Sequence, residues 1–366
     1  MARTIRIGIL SKPSQFHLLR SLHRLGRQRA DIFAFSPSDM NWQQRTVRAH
    51  FLTAGGRWER RVIDLPDVVY NRYLCGRTLE FQPAMRNFRK LLKEHRIPIF
   101  NWSYFNKQEV FDRLRDGNER RASEHLPATV KQATVKSVLK MFDRFSQIFL
   151  KPVGGFAGFG IYRLLSAGPE DARLHFHRGR KPIVMRFPSR QAMIQYVQKQ
   201  TRGFHKYIAQ QGIALLRYQD CPVDFRVHLN RGRGGQWRVS GIGAKKAGKG
   251  SVTTHIRTGG RVFHPERILR YFFRNKADDV LNNMHSAAIH LAQAIARTTP
   301  RLVGELGFDL GIDTEGKIWM FEANSKPGRS IFKHPSLRRS LASLDRNLIE
   351  YCIHLANQQK QGGSAS

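Results

Sequence analysis

The run "ELGFDLGIDTEGKIWMFEAN", residues 305 to 324, sets two apolar strand-like segments on either side of the short turn "DTEG". Such segments fold back on each other as an antiparallel hairpin, and their apolar character places that hairpin inside a sheet that closes a core. The same run carries Glu305, Asp309, Asp313, Glu315 and Glu322, five of only 27 acids in 366 residues. Pairing across the turn brings Asp309 opposite the Glu322 region. Glu322 and Asn324, two residues apart, point to one face of their strand. Asp309, Glu322 and Asn324 then form a set of hard oxygen ligands of the kind Mg²⁺ takes when a nucleotide's phosphates complete its octahedron. A solvated turn accounts for Asp313 and Glu315. It does not account for Glu322, which follows Ile318, Trp319, Met320 and Phe321 and needs a partner if buried.

Residues 311–322 also imitate the spacing of an EF-hand loop. Gly311 stands at its obligatory first ligand, however, and Pro327 would interrupt the exiting helix, so that reading is set aside.

The chain has 63 Lys and Arg, and its formal net charge is +36. Such a charge attracts polyanions, whether nucleic acid, acidic polymer or anionic membrane surface. The cations are scattered along the whole length, with no zinc-finger spacing, RNA-binding aromatic signature or basic tail. Any nucleic-acid binding is therefore expected to be non-specific. No apolar run approaches the ~20 residues that span a bilayer. The start "MARTIRIGIL" reads as a β-strand rather than a signal peptide. Cys75, Cys221 and Cys352 are few and far apart, which points to a reducing compartment and a cytoplasmic protein.

Alternating strand-like and helix-like segments over residues 1–105 predict a small α/β domain with a mainly parallel sheet. The polar run "RDGNERRASEH" reads as a linker. From about residue 107 the pattern becomes α+β, and two units are expected, over 106–202 and 203–358. The segment "DDVLNNMHSAAIHLAQAIAR" carries Val280, Met284, Ala287, Ala288, Leu291 and Ile295 on one helical stripe. A last helix covers "LDRNLIEYCIHLAN", and 359–366 reads as a disordered tail.

Two further stretches carry chemistry. In "FLKPVGGFAGFGIYRL" an apolar strand delivers Lys151, and Gly154, Gly155, Gly158 and Gly160 follow before a second strand. Glycines let a loop fold over an anion with its N–H groups inward, and a lysine at the strand end adds a point charge. No Gly-Lys-Ser/Thr follows, so this is not a Walker A loop; an ordinary glycine-rich hairpin remains the alternative. In the stretch 222–262, strands carry Asp224, Arg226, Lys245 and Lys246, and a glycine-rich loop holds His255 and Arg257. These cations are either neutralisers of a transferring phosphoryl group or surface residues of a basic protein.

The order of these pieces resembles the ATP-grasp superfamily. "FEANSKPG" is similar to the metal-binding strand of D-alanine–D-alanine ligases, and "GGFAGFGI" to their phosphate loop. "DFRVHL…AKKAGKGSVTTHIRTGG" is closer to the glutathione-synthetase and ribosomal-protein glutamate-ligase branch. "PDVVYNRY", "YIAQQGI" and "ELGFDLGIDTEGKIWMFEANSKPGR" resemble the YheC/YheD group of endospore coat-associated proteins. The resemblance implies an ATP-grasp fold of two α+β subdomains gripping the nucleotide, preceded by an α/β pre-grasp domain. It implies ATP and Mg²⁺ as cofactors, with Asp309, Glu322 and Asn324 on the metal. Lys107, Lys151 and the 154–160 loop would meet the phosphates. Gln210, Gln211 and Ile213 would border the adenine, and Asp224 the ribose. Arg226, Lys246 and Arg329 would be catalytic. The implied reaction activates a carboxylate with ATP for attack by an amine, with anionic small-molecule or peptide substrates and a possible place in the spore coat. A coat component that keeps the nucleotide site without turnover is the alternative, and a polyanion-binding basic protein a third. Two positions depart from the pattern. Gly307 stands where the D-alanine ligases carry arginine, and His255 where the glutamate-ligase branch carries asparagine.

Overall fold

The computed structural model describes residues 4–26, 29–73, 83–102, 104–117, 119–153, 159–168 and 170–363. Three sheets follow one another along the chain. The first contains β1 (Arg6–Leu10), β2 (Asp31–Phe35), β3 (Met40–Asn41), β4 (Thr46–Leu52), β5 (Trp58–Asp64), β6 (Val68–Asn71) and β7 (Ile99–Phe100). Its centre is parallel, with β1 between β2 and β6 and β7 beyond β6. Its other half is antiparallel, because β3, β4 and β5 fold back on each other and on β2. The expected mainly parallel sheet is thus a mixed one. The antiparallel half leaves little signal in the sequence, because β5 exposes most of its residues and lacks the apolar runs that mark a buried strand.

The second sheet is wholly antiparallel, in the order β12 (Lys181–Phe187), β11 (Asp171–Arg178), β10 (Tyr162–Gly168), β9 (Gln147–Pro152), β13 (Tyr207–Gln211) and β8 (Thr129–Val130). Two helices, Val135–Phe142 and Arg190–Gln200, cover one face over Ile148, Leu150, Leu164, Leu174 and Ala209. Both helices are capped by the residue types that satisfy free N–H groups: Thr134 accepts from Ser137 N, and Ser189 from Ala192 N. The opposite face carries Phe149, Lys151 and Gln210.

The third sheet runs β17 (Arg261–Phe263), β16 (Trp237–Lys246), β15 (Cys221–Arg231), β18 (Glu305–Ile312) and β19 (Ile318–Asn324), with β14 (Arg217–Tyr218) on β15. Helix Ala277–Thr298 lays Met284, Ala287, Ala288, Leu291 and Ile295 against one face, over Phe225, Val227, Phe308 and Leu310. Helix Arg338–Gly363 joins this sheet to the first. Its Leu344, Leu348, Ile349, Tyr351 and Cys352 share a core with Ile7, Ile9, Ile32 and Tyr70. The helix runs into residues 359–363, where a disordered tail was expected. Part of the polar run read as a linker is likewise a short helix, Arg120–Ser123.

The junction between the first and third sheets is polar and closed. Asn101 has φ +55°, and its amide is buried. Its Oδ1 accepts from the N–H groups of Gly304 (2.8 Å) and Glu305 (3.0 Å). Its Nδ2 donates to the carbonyls of Glu305 and Ser325. One side chain thereby fixes where β18 begins and where the chain leaves β19. Beside it, Glu305 accepts from Tyr70 and Arg72, and Arg329 reaches Asp345, Tyr70 and Glu305. Asn101→Ala leaves several buried backbone groups unpaired, each costing about 1–3 kcal/mol. A large fall in the urea midpoint is expected; a change within error would show that the clamp is dispensable.

Candidate nucleotide and metal site

Strand alternation puts one polar stripe on the face of the third sheet away from helix Ala277–Thr298. Across β15 and β18, Arg226 stands opposite Asp309; across β18 and β19, Asp309 stands opposite Glu322. Asn324 lies opposite Gly307, two residues along the same face. On the other side of β15, Asp224 stands opposite Lys245. Three carboxylates, a carboxamide, a guanidinium and an ammonium are thus gathered from four strands.

Their contacts are tight. Arg226 Nε and Nη2 donate to the two oxygens of Asp309, both at 3.0 Å, in the fork geometry that suits a carboxylate. Lys245 Nζ lies 2.8 Å from Asp309 Oδ1 and 3.0 Å from Asp224 Oδ1. Thr254, in the loop between β16 and β17, donates to Asp224 Oδ2. Burial pushes the Asp309 pKa upward, but Arg226 and Lys245 outweigh it and hold the carboxyl below the ordinary range. Asp224 moves the other way. Burial raises its pKa, and the Lys245 cation only partly opposes it. For Lys245, the two carboxylates overcome burial and keep the ammonium charged.

The donor set fits a hard divalent cation. Asp309 and Glu322 face each other directly, and Asp309 Oδ2 accepts a single hydrogen bond among the described residues, which leaves it a lone pair. Asp313, by contrast, anchors the turn. Its carboxylate accepts from Glu315 N, Lys317 N and Trp319 Nε1, and strands flank it on both sides.

The second sheet faces this stripe with Lys151, whose Nζ donates to Gln210 and lies 5.7 Å from the Phe149 ring and 5.5 Å from the Phe321 ring. Gln210 also donates to Thr129 (3.2 Å), while Gln211 Oε1 accepts from Ala128 N. Ile213 is buried on the chain linking the two sheets. Gly160 has φ +72°, which the turn into β10 requires. Gly154, Gly155 and Gly158 lie outside the described residues, as does the side chain of Lys107, the first residue of helix Lys107–Asp116.

Three expected roles change. Lys246 turns away from the stripe: its Nζ donates to Gln219 and lies 6.0 Å from the Tyr218 and Phe263 rings. The cause is a β-bulge. Leu229 pairs with Val239 but His228 with Gly241, so Ser240 is an extra residue and every later side chain of β16 changes face. Without the bulge Lys246 would share the face of Asp224; with it, Lys245 does. Asp224 is a buried partner of Lys245 and Thr254 rather than a group open to a ribose. Arg329 is bound into the sheet junction by Asp345, Glu305 and Tyr70, which raise its pKa against the effect of burial. Its guanidinium therefore holds the junction together rather than standing free for catalysis.

Phe321 is a second extra residue, since Asp309 pairs with Glu322 but Leu310 with Met320. Its ring fills the space a side chain at Gly311 would need, 2.5 Å from that Cβ position. Gly307 has a similar explanation. A Cβ there would meet Pro327 Cβ at 2.5 Å, and Arg226 Nη1 lies 3.3 Å away, so a guanidinium arrives from the neighbouring strand.

A family model described as YheC/D-like ATP-grasp matches residues 96–355. The chain belongs to the YheC/D-like ATP-grasp family. It is 32% identical over 329 residues to the endospore coat-associated protein YheD of Bacillus subtilis (strain 168), covering 89% of this chain and 71% of that one. Among solved structures, the ATP-grasp ligase PsnB with its minimal precursor aligns over 96% of this chain and 100% of its own, with a TM-score of 0.56 at 13% identity. PsnB with Mg and ADP aligns with a TM-score of 0.51 at 12% identity, over 96% and 99%. The VanG D-Ala:D-Ser ligase of Enterococcus faecalis gives 0.53 at 12%, over 97% and 100%. At these identities the likeness establishes the fold, and this family member has the architecture of ATP-grasp ligases.

Lys245→Met should destabilise the protein by about 3–5 kcal/mol, because it leaves Asp224 and Asp309 buried with one fewer cation. Lys246→Met, at a partly exposed position, should stay within about 0.5 kcal/mol of the parent. Urea unfolding of both checks the assignment of faces, and the reverse ranking would overturn it.

Proposed function

We propose that this family member is an ATP- and Mg²⁺-dependent ligase that activates a carboxylate as an acyl phosphate and joins it to an amine. The observation that carries the reading is the direct opposition of Asp309 and Glu322, with Asn324 beside them and Arg226 and Lys245 at the same place. When bound, Mg²⁺ would neutralise phosphate charge, held by Asp309, Glu322 and Asn324. Arg226 presents a planar fork suited to a phosphoryl or carboxylate oxygen. Lys151 brings a second cation from the facing sheet, beside two aromatic rings that offer flat apolar surface to a purine. The loop 247–260 shields the site. Thr254 ties it to Asp224, and Gly250 approaches Pro182 of the second sheet so closely that a Cβ added there would lie 3.5 Å from Pro182 Cγ. No protein nucleophile is required, because orientation and electrostatics supply the rate.

Calorimetry with ATP and Mg²⁺ should show saturable binding that Glu322→Ala weakens at least tenfold. ATP-dependent ligation, read by mass spectrometry across acids and amines, should yield a condensed product and ADP. Binding without any product across anionic amino acids and peptides would favour a coat component that keeps the nucleotide without turnover. A place at the spore surface is proposed from the likeness to YheD. Fractionation of tagged protein in a spore-forming host should recover it with the coat, and its absence there would remove that part.

A further inference from the structure

The proposed metal ligand Asp309 is already engaged by two protein cations. Its carboxylate takes both arms of the Arg226 fork and the Lys245 ammonium, three charge-assisted hydrogen bonds on two oxygens. The side chains involved are nearly closed to water. Lys245 is 10% exposed, Asp224 12%, Asp309 13% and Arg226 16%, so solvent screens their interactions weakly. Three carboxylates, Asp224, Asp309 and Glu322, stand beside two cations, Arg226 and Lys245. A divalent ion entering this group meets two cations already in place, both anchored. Lys245 is held from behind by Asp224, which Thr254 fixes in turn. An anionic polyphosphate reverses the balance. It competes with Asp309 for the Arg226 fork and the Lys245 charge, and each interaction it takes releases carboxylate charge for the metal.

We infer that Lys245 is a positioning residue that keeps Asp309 closed to free divalent metal, so that metal enters only together with a polyphosphate. The inference rests on the nucleotide-site reading above. Asp224, 3.0 Å from the ammonium, is the counter-charge that anchors this lysine from behind. Thr254 links the arrangement to the loop 247–260 through its hydrogen bond to Asp224.

The test is Mn²⁺ binding to the full chain, followed by electron paramagnetic resonance, with and without a non-hydrolysable imido analogue of ATP. Competition of the analogue for free Mn²⁺ is subtracted from the titration. The parent should bind Mn²⁺ alone at least tenfold more weakly than in the presence of the analogue. Lys245→Met alone strands buried charge and can unfold, so the paired variant Asp224→Asn/Lys245→Met is measured as well. It removes one charge of each sign and keeps the Arg226–Asp309 pair. Thermal melting confirms that it is folded. Its affinity for Mn²⁺ alone should rise several-fold, and the gain from the analogue should shrink by a similar factor. Equal Mn²⁺ affinity of the parent with and without analogue, or a folded paired variant identical to the parent, overturns the inference and leaves the nucleotide site standing. A parent that binds neither analogue nor metal removes both.

Discussion

Asp309 is the point through which the rest of the site is connected. It sits at the centre of β15, β18 and β19, opposite Arg226 on one side and Glu322 on the other. A lone carboxylate buried there would lose its charge to desolvation, and with it any use as a ligand. Arg226 and Lys245 prevent this and keep it ionised. The arrangement is costly to assemble, because every charge in it is taken out of water. Retaining it in a sheet otherwise filled with Val, Phe and Leu is sensible if the charge has a use at the surface of the stripe.

The surrounding structure reads as support for that stripe. Helix Ala277–Thr298 covers the apolar face of the sheet, and the polar stripe lies on the opposite face. The C-terminal helix and Asn101 fasten the first sheet to the start of β18, four residues before Asp309. The network of Tyr70, Arg72, Glu305, Arg329 and Asp345 closes that junction with charges of both signs. Arg329 belongs to this support, although it is only five residues from Asn324.

Much of the site was legible because it is local. The hairpin 305–324, its acids and the lysine at the end of β9 are adjacent in sequence to the apolar runs that define them. Helix Ala277–Thr298 was legible for the same reason, since its stripe repeats at the helical period. The antiparallel half of the first sheet was not. Its outer strand β5 is exposed on both faces and shows no period of two. Lys245 and Lys246, adjacent in one strand, cannot be told apart without the register.

Sequence alone determined the charged residue types and their spacing: acids thirteen residues apart on either side of a tight turn, and cations on the strands before them. Composition and local order suffice for that, because turn chemistry and apolar runs act over a few residues. The tertiary structure decided which of those groups meet. Ser240 is a single extra residue in β16 and brings Lys245 instead of Lys246 to Asp309; Phe321, extra in β19, keeps Glu322 facing the same carboxylate. A bulge shifts the register by one and exchanges the two faces of a strand. It is set by how whole strands pack against their neighbours, a constraint that no short stretch of the chain carries by itself.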